Sequence, residues 1–322
     1  MATLEEIVTP LKTIWRFDYD SNVKALRDLY ELAKKEQWNA ATDVPWELET
    51  DPAQVGTLDM AGEDPILGMD FIKELPEDKR VDLAKRRSAW QLSQFLHGEQ
   101  GAMLCAGQLV ETVPDMDGKF YASTQVIDEA RHVEVFHRYV ERLDRVYPIM
   151  PNLKALLNAV LGAELWQMKC VGMQVIAESL AMGSFKMMKK GTNDELLRQI
   201  VELTAQDEAR HVSYGLIYMK EELPKMAEDE RNAVEDFALA GVGLLAGPDN
   251  EAALGAPLLQ MMGEVGIDVE VAVAEMATKL ATPEARAARF NPFQEYVVPQ
   301  LKRIDLITER TAPGYRAMGL EV

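Results

Sequence analysis

The strongest constraint on the fold of this chain is a five-residue motif that occurs twice. The sequence Asp-Glu-Ala-Arg-His stands at residues 128–132 and again at residues 207–211. In each copy the Glu and the His are three residues apart, so an α-helix presents both side chains on one face. One Glu-x-x-His pair often arises by chance, whereas two near-identical copies predict a shared metal site.

Two further carboxylates stand at matching distances from the motifs. Glu99 precedes Glu129 by 30 residues, and Glu178 precedes Glu208 by 30 residues. The midpoint of each pair falls inside a predicted turn. Residues at equal distances from the turn of an antiparallel helical hairpin lie at the same height. The spacing therefore predicts that all four carboxylates meet at one level of a four-helix bundle, as in bundle proteins that bind two metals.

The hydrophobic periodicity is helical over almost the whole chain and predicts an all-α fold. The four helices that carry the carboxylates are expected at about residues 77–112, 119–146, 164–190 and 193–222. We expect one domain over residues 1–322, in which the metal-binding bundle occupies about 77–222 and a helical extension about 225–322.

Additional elements are expected on both sides of the bundle. An amphipathic helix over residues 21–35 should be capped by Asp20 or Ser21. The segment over residues 38–69 is rich in Pro and Gly and is too long for an ordinary connector, which predicts that it wraps across the bundle. Two or three helices should follow the bundle.

The six predicted ligands have the chemistry of an iron or manganese site. They are Glu99, Glu129, His132, Glu178, Glu208 and His211. The helical faces around the ligands are apolar, and an unpaired carboxylate there would cost several kcal/mol or be protonated. Two divalent cations neutralise the four carboxylates. Carboxylate oxygens with one imidazole per metal suit iron or manganese better than structural zinc.

Composition excludes several other classes of protein. The net charge of −19 repels phosphate backbones, so no nucleic-acid partner is expected. The two cysteines, Cys105 and Cys170, form no Cys-x-x-Cys motif and are expected to be buried thiols. We find neither the pattern of a signal peptide nor an apolar run long enough for a membrane span, so no membrane partner and a cytoplasmic location are expected.

The paired motifs resemble those of the ferritin-like di-iron carboxylate superfamily. The likeness covers about residues 77–222 and is strongest to the oxygen-activating branch, which includes ribonucleotide reductase small subunits, multicomponent monooxygenases, related oxidases and N-oxygenases. This resemblance implies a cofactor of two iron ions, or of manganese and iron, that reacts with O2. It also implies that Asp128 orients His211 and that Asp207 orients His132. The resemblance pairs these two Asp residues with Arg131 and Arg210.

Four positions depart from well-known relatives. Phe136 stands where radical-bearing reductase subunits have a Tyr, which argues against a stable tyrosyl radical there. Ala102 and Met173 occupy the positions of the Val–Tyr crosslink of ligand-binding oxidases and exclude that crosslink. Thr204 stands where the para-aminobenzoate N-oxygenase group has an additional His, which weakens the expectation of N-oxygenation.

These observations together predict an oxidase or monooxygenase that uses O2 to oxidise a small, largely apolar organic molecule. The alternatives are an N-oxygenase of an amine, a radical-generating reductase-like subunit, and a non-catalytic iron-handling protein. Thr204 and Gln125 each lie one turn before a predicted ligand Glu and are candidates for hydrogen bonding at the reaction site. The chain has no dinucleotide-binding fingerprint, so electrons should come from a separate reductase or from the substrate. A homodimer is compatible with the sequence.

Overall fold

The computed structural model describes residues 4–50, 69–246, 249–280, 282 and 291–322. Within these residues all regular structure is helical, which confirms the all-α prediction. Four helices form the antiparallel bundle: α3 (Glu77–Thr112), α4 (Met116–Leu143), α7 (Glu178–Gly191) and α8 (Glu195–Glu222). The other helices are α1 (Lys24–Lys35), α2 (Asp70–Lys73), α5 (Pro151–Gly162), α6 (Trp166–Cys170), α9 (Glu228–Ala246), α10 (Asp249–Glu264), α11 (Val269–Leu280), α12 (Val298–Arg303) and α13 (Ala312–Ala317).

The two bundle hairpins begin their second helices in the same way. The carboxylate of Asp115 accepts a hydrogen bond from the amide of Gly118 (2.8 Å), and that of Asp194 accepts one from the amide of Leu197 (2.7 Å). Each Asp is an N-cap that satisfies an amide left free at the start of the helix. Helix α4 begins and ends three residues earlier than the sequence predicts, and Asp115 fixes its start.

The predicted helix over 164–190 is not a regular α-helix, and this part of the prediction was wrong. Helix α6 leads without a break into a π-helical segment, π1 (Val171–Ala177), and π1 leads into α7. Wider π turns inside α-helices occur frequently at functional sites. The amphipathic pattern does not distinguish a π turn from an α turn over seven residues, so periodicity could not predict it.

The N-terminal helix and the C-terminal region also differ from the prediction. Helix α1 begins at Lys24, and neither Asp20 nor Ser21 caps it. Instead, Asp117 of α4 accepts hydrogen bonds from the amides of Asn22 and Val23, both 2.9 Å long. The described residues after the bundle form five helices, α9 to α13, with a second π-helical segment before α12, whereas the sequence predicts two or three helices. Of the segment over 38–69, residues 51–68 lie outside the described residues.

Two apolar clusters fill the bundle above and below a polar layer. Ala102 of α3, Tyr121 of α4 and Tyr214 of α8 belong to one cluster, and Leu96 of α3 and Phe136 of α4 belong to the other. Along each bundle helix the change from one cluster to the other falls at the predicted ligands. The polar layer is thus enclosed on both sides, which gives its charges a low-dielectric setting.

Candidate metal centre

The structure brings the six predicted ligands together in the buried polar layer. Each bundle helix contributes at the height expected from the spacing: α3 carries Glu99, α4 carries Glu129 and His132, α7 begins with Glu178, and α8 carries Glu208 and His211. None of these side chains is more than 4% exposed. Buried charges of this density require compensation by other charges.

The ligand atoms form two overlapping groups of the size that a metal ion needs. Glu99, His132, Glu129 and Glu208 offer four atoms within 4.8 Å of one another, and Glu178, His211, Glu129 and Glu208 offer a second such set. Glu129 and Glu208 belong to both groups. The geometry therefore suits two neighbouring cations with two shared carboxylates.

Hydrogen bonding within the protein does not satisfy this layer. Nδ1 of His132 lies 3.1 Å from Glu99 Oε2, 3.2 Å from Glu129 Oε2 and 3.2 Å from Glu208 Oε1. A single N–H cannot serve three oxygens, and Glu208 Oε1 is a buried acceptor without a hydrogen-bond donor among the described residues. Carboxylate oxygens and imidazole nitrogens are suitable donors for iron or manganese, so the residues present fit a two-metal group.

The electrostatics of the carboxylates lead to the same conclusion. Burial, followed by the charge of Glu208, raises the pKa of Glu99 well above its usual value. The same causes raise the pKa of Glu178, where Glu129 adds to the effect. The raised pKa values disfavour the ionised form of both carboxyls, and a divalent cation beside them would offset the repulsion.

Each histidine is held by a carboxylate from the opposite motif. Nε2 of His132 lies 3.1 Å from Asp207 Oδ2, and Nε2 of His211 lies 3.3 Å from Asp128 Oδ2. Burial by itself would lower the pKa of His211, but the charges of Glu129 and Glu208 raise it to about 10. An Asp that accepts the Nε2 hydrogen directs Nδ1 towards the centre.

Two arginines hold the carboxylates that contact the histidines. Arg131 lies 2.6 Å from Asp128 and 3.0 Å from Asp207, so it bridges the two motifs. Arg210 pairs with Asp207 and lies 3.7 Å from Asp128. Burial raises the pKa of Asp207, but the hydrogen bond and the charge of His132 outweigh it and hold the pKa well below its usual range. Both Asp residues are therefore ionised acceptors.

An N-terminal segment completes this network, and sequence reasoning missed its role. The indole Nε1 of Trp38 donates to Asp207 over 2.8 Å, and the indole ring stacks against the His132 ring at 6.3 Å between centroids. The Gln37 amide donates to Asp128 over 3.0 Å and accepts from Arg131. The adjacent pair Gln37-Trp38 follows α1 directly, but nothing in its spacing relates it to the motifs.

The two polar candidates at the reaction site differ in their surroundings. Gln125 donates to Glu129 over 2.9 Å and to Glu178 over 3.3 Å, so it links the two hairpins. Its own carbonyl accepts from Gln174 of π1 over 3.4 Å. Thr204 is fully buried, and its hydroxyl has no partner among the described residues.

Two other histidines lie elsewhere in the fold. His97 contacts the carbonyl of Tyr147 over 2.8 Å, and His137 lies on the surface beside Glu141. Cys105 and Cys170 are buried free thiols. At the radical position of reductase subunits, Phe136 stacks on Phe185 with 5.5 Å between ring centroids.

A cavity of about 140 Å³ adjoins the carboxylates on one side of the layer. It lies between α3, α5, π1 and α7, and its wall includes both Glu99 and Glu178. The remaining wall is mostly apolar, with contributions from Ala102, Leu157 and Met173. Met173 is the one methionine among the described lining residues.

One protein family matches most of the chain. It is described as p-aminobenzoate N-oxygenase AurF, and its model matches residues 20–294. The chain belongs to this family. AurF membership makes it an oxygen-dependent oxidoreductase of the ferritin-like di-iron superfamily, which confirms the resemblance and the class of reaction expected from the motifs. This AurF-family chain nevertheless has Thr204 where the N-oxygenase group has its additional His.

Solved structures similar to this AurF-family chain include R2-like ligand-binding oxidases. A point mutant of such an oxidase, with an aerobically reconstituted Mn/Fe cofactor, is 17% identical, with a TM-score of 0.46, and the match covers 92% of this chain and 99% of that one. An oxidase of the same description after photoconversion is 16% identical, with a TM-score of 0.45 and coverage of 91% and 95%. A search of curated proteins found no match. Among the described residues, every helix is too short or too polar to cross a membrane.

Proposed function

We propose that this protein binds two metal ions and uses O2 to oxidise a small, neutral, largely apolar molecule in the cavity. The metals are iron in both positions, or iron with manganese in one. The proposed ligands are Glu99, Glu129, His132, Glu178, Glu208 and His211. The observation that carries the proposal is that the cavity wall includes Glu99 and Glu178, one terminal carboxylate from each group of ligands.

The cavity limits the size of the substrate. Its volume is about 140 Å³. An apolar protein cavity of roughly 150 Å³ takes up benzene. A single ring, or an aliphatic molecule of similar size, therefore fits beside the carboxylates without a change in the wall.

The cavity also favours an uncharged substrate. None of its described lining residues is a Lys, Arg or His. A bound carboxylate would leave water without a cationic side chain to pair with, and the charge of the two metals is already neutralised by the four carboxylates. The family is described by an acid, p-aminobenzoate, whereas the wall of this cavity suits a neutral molecule. N-oxygenation of a neutral amine is the second candidate, and the family match supports it.

The chemistry divides between the metals and the chain. The two metals, when bound, supply the binding and reduction of O2 and the oxidising power. Asp128 and Asp207 hold the histidine Nε2 hydrogens and so keep Nδ1 directed inward. Gln125 donates to Glu129 and Glu178 and holds these carboxylates in place across the two hairpins. The apolar cavity wall excludes water from the reacting molecule.

Several wider features belong to the same proposal. We place the bundle and the C-terminal helices in one domain, because Leu245 of α9 lines the cavity together with residues of α3 and α7. Electrons come from a separate reductase or from the substrate. The two free cysteines suit a reducing cytoplasm.

The test is a pair of alanine-to-leucine variants. Ala102→Leu fills the cavity, while Ala130→Leu adds the same atoms on an exposed face of α4. Metal content is measured first, and oxygen consumption and products are then followed with aniline, toluene and p-aminobenzoate. We expect two metals in each protein, turnover of a neutral ring compound in the wild type and in A130L, and a loss of about tenfold or more in kcat/KM in A102L. Unchanged turnover in a metal-loaded A102L, or preferred turnover of the anion, contradicts the proposal.

A further inference from the structure

Four aromatic side chains form a continuous stack between the polar layer and the surface. The Tyr121 and Tyr214 rings are 4.7 Å apart between centroids, the Tyr214 and Tyr218 rings 5.6 Å, and the Tyr218 and Trp166 rings 4.7 Å. All three distances lie in the range of direct aromatic contact. The three tyrosines are almost completely buried, while Trp166 at the start of α6 is partly exposed.

The buried end of the stack lies next to the metal centre. Tyr121 is one helical turn before Gln125, whose amide contacts two of the proposed ligands. Tyr214 is one turn after His211 on α8. The stack therefore starts on both helices that carry the repeated motif and ends at the surface.

The hydroxyl groups of the tyrosines differ in their partners. The Tyr218 hydroxyl donates to the carboxylate of Asp115, which is a proton acceptor. The Tyr214 hydroxyl reaches only the carbonyl of Gly118, at 3.3 Å, and the Tyr121 hydroxyl has no partner among the described residues. A tyrosine loses an electron easily only when its phenolic proton can leave as well. Tyr218 is therefore the member of the stack that is equipped for oxidation.

We propose that Tyr121, Tyr214, Tyr218 and Trp166 form a one-electron path that removes oxidising equivalents from the metal centre when no substrate is bound. The proposal rests on the proposed two-metal function and goes beyond it, because the path serves the survival of the protein rather than turnover. The four-electron reduction of O2 needs more electrons than two divalent iron ions supply, since each gives one in becoming trivalent. When neither an organic substrate nor an external reductant is present, completing this reduction takes the remaining two electrons from the protein.

The path accounts for each electron and proton. Tyr218 gives one electron through the rings of Tyr214 and Tyr121 to the oxidised centre, and its phenolic proton passes to Asp115. Trp166 then returns one electron to Tyr218, and the proton returns from Asp115 to the phenol. Two such electrons taken from Trp166, with one water added and two protons released, leave hydroxytryptophan. A soluble reductant that reaches Trp166 first restores the indole instead.

The experiment uses the full chain loaded with Fe(II) and exposed to air without an organic substrate, with ascorbate as the reductant between cycles. Iron per chain is counted first, and oxidised residues are then mapped by peptide mass spectrometry. We expect hydroxytryptophan at Trp166 in the wild type. In Tyr218→Phe, which keeps the ring but removes the phenol that donates to Asp115, the yield at Trp166 should fall by about tenfold or more, because the electron must then leave Trp166 without an oxidisable intermediate.

Two further variants separate the path from a packing effect. Tyr139→Phe changes an equally buried tyrosine outside the stack, and its Trp166 yield should equal that of the wild type. In Trp166→Phe, the tyrosyl signal in freeze-quenched electron paramagnetic resonance samples should persist longer, because its reductant is gone.

The outcomes distinguish the path from the proposed function. A wild-type chain that binds fewer than two metals overturns the proposed function and this path with it. Two bound irons together with equal Trp166 oxidation in the wild type and Tyr218→Phe overturn the path alone. Oxidation at Cys105 or Cys170 in place of Trp166 also overturns it.

Discussion

The two hairpins that carry the metal centre share their spacing but differ in the helix that leads to it. In the first hairpin Glu99 lies in the middle of α3, an unbroken α-helix of 36 residues. In the second, Glu178 follows directly on the seven π-helical residues of π1. The ligands remain symmetrical because the interval from Glu178 to Glu208 lies after π1. The proposed ligands are therefore arranged symmetrically in the two hairpins, whereas the helices that lead to Glu99 and Glu178 differ.

The π-helical segment contributes both to the cavity and to a contact across the bundle. Met173 and Ala177 of π1 line the cavity, and Gln174 donates to Gln125 across the bundle. The close approach of π1 to α8 depends on Gly215, where an added Cβ would lie 2.7 Å from the Cβ of Gln174. Both hairpins thus line the cavity, the first through α3 and the second through π1 and α7, and π1 adds the amide contact to Gln125.

The largest effect is expected from breaking the symmetry of the ligands themselves. Glu208 belongs to both ligand groups, whereas Glu178 belongs to one. We expect Glu208→Ala to reduce the metal content from about two ions per chain to almost none, and Glu178→Ala to leave about one. Metal analysis after gel filtration measures this. Glu134→Ala removes an exposed carboxylate from α4 as a control and should retain both ions; full retention in Glu208→Ala would refute the shared role.

A smaller effect is expected on the free energy of unfolding when one glycine in each hairpin is replaced by Ala. The sign of the change should differ between the two hairpins. At Gly172 in π1 an added Cβ would lie 2.5 Å from a methyl group of the buried Val160, while at the exposed Gly107 in α3 it meets nothing within 4 Å. Gly172→Ala should lower the free energy of unfolding by about 1–3 kcal/mol through overpacking. Gly107→Ala should raise it by roughly 0.5–1 kcal/mol through helix propensity.

Denaturant unfolding at matched metal content measures both variants. The two changes add the same methyl group, so a difference in sign reports the surroundings alone. A Gly172→Ala protein as stable as the wild type would show that π1 has room to relax, and the asymmetry of the hairpins would then matter less than the structure indicates.

The smallest effect concerns a carboxylate that only the first hairpin has. Asp117 of α4 accepts from the amides of Asn22 and Val23 and pairs with Arg27 at 2.7 Å. Burial raises its pKa, but these hydrogen bonds and the charge of Arg27 outweigh it and lower the pKa below its usual value. A lowered pKa in the folded state adds stability above the pKa of the unfolded chain, near 3.9, and this stability disappears as the pH falls through the folded value.

Asp117→Asn should therefore be less stable than the wild type at pH 6–8, by about 1 kcal/mol, with a constant difference over that range. The difference should narrow below roughly pH 4, where the wild-type carboxyl takes up a proton. Urea unfolding at several pH values measures this. A difference independent of pH down to pH 3 would mean that hydrogen-bond geometry, rather than charge, anchors α1 to the first hairpin.

Much of the centre could be predicted from the sequence because its determinants are local. A Glu and a His three residues apart share a helical face whatever surrounds the helix. Equal intervals around two turns place Glu99 and Glu178 at the height of the motifs. The bounds of α8 agree with the expected 193–222 to within two residues, and Asp194 caps its start.

The features that escaped prediction arise from contacts between distant segments. The segment that leads into α1 is held by Asp117, more than ninety residues away, which accepts from the amides of Asn22 and Val23. The role of Trp38 depends on how the segment after α1 crosses the bundle to Asp207. Neither contact leaves a periodic trace in the chain.

The sequence by itself predicted where the four bundle segments run, the level at which the six proposed ligands meet and the class of chemistry that such ligands support. The helical repeat and the equal lengths of the two hairpin arms are sufficient for these features, because both are fixed by the spacing of residues along the chain. Only the tertiary structure decided which carboxylates are shared, where π1 interrupts the third helix, and where the cavity opens beside Glu99 and Glu178. These features depend on how side chains from several helices fill one volume, and that volume does not exist until the helices have packed.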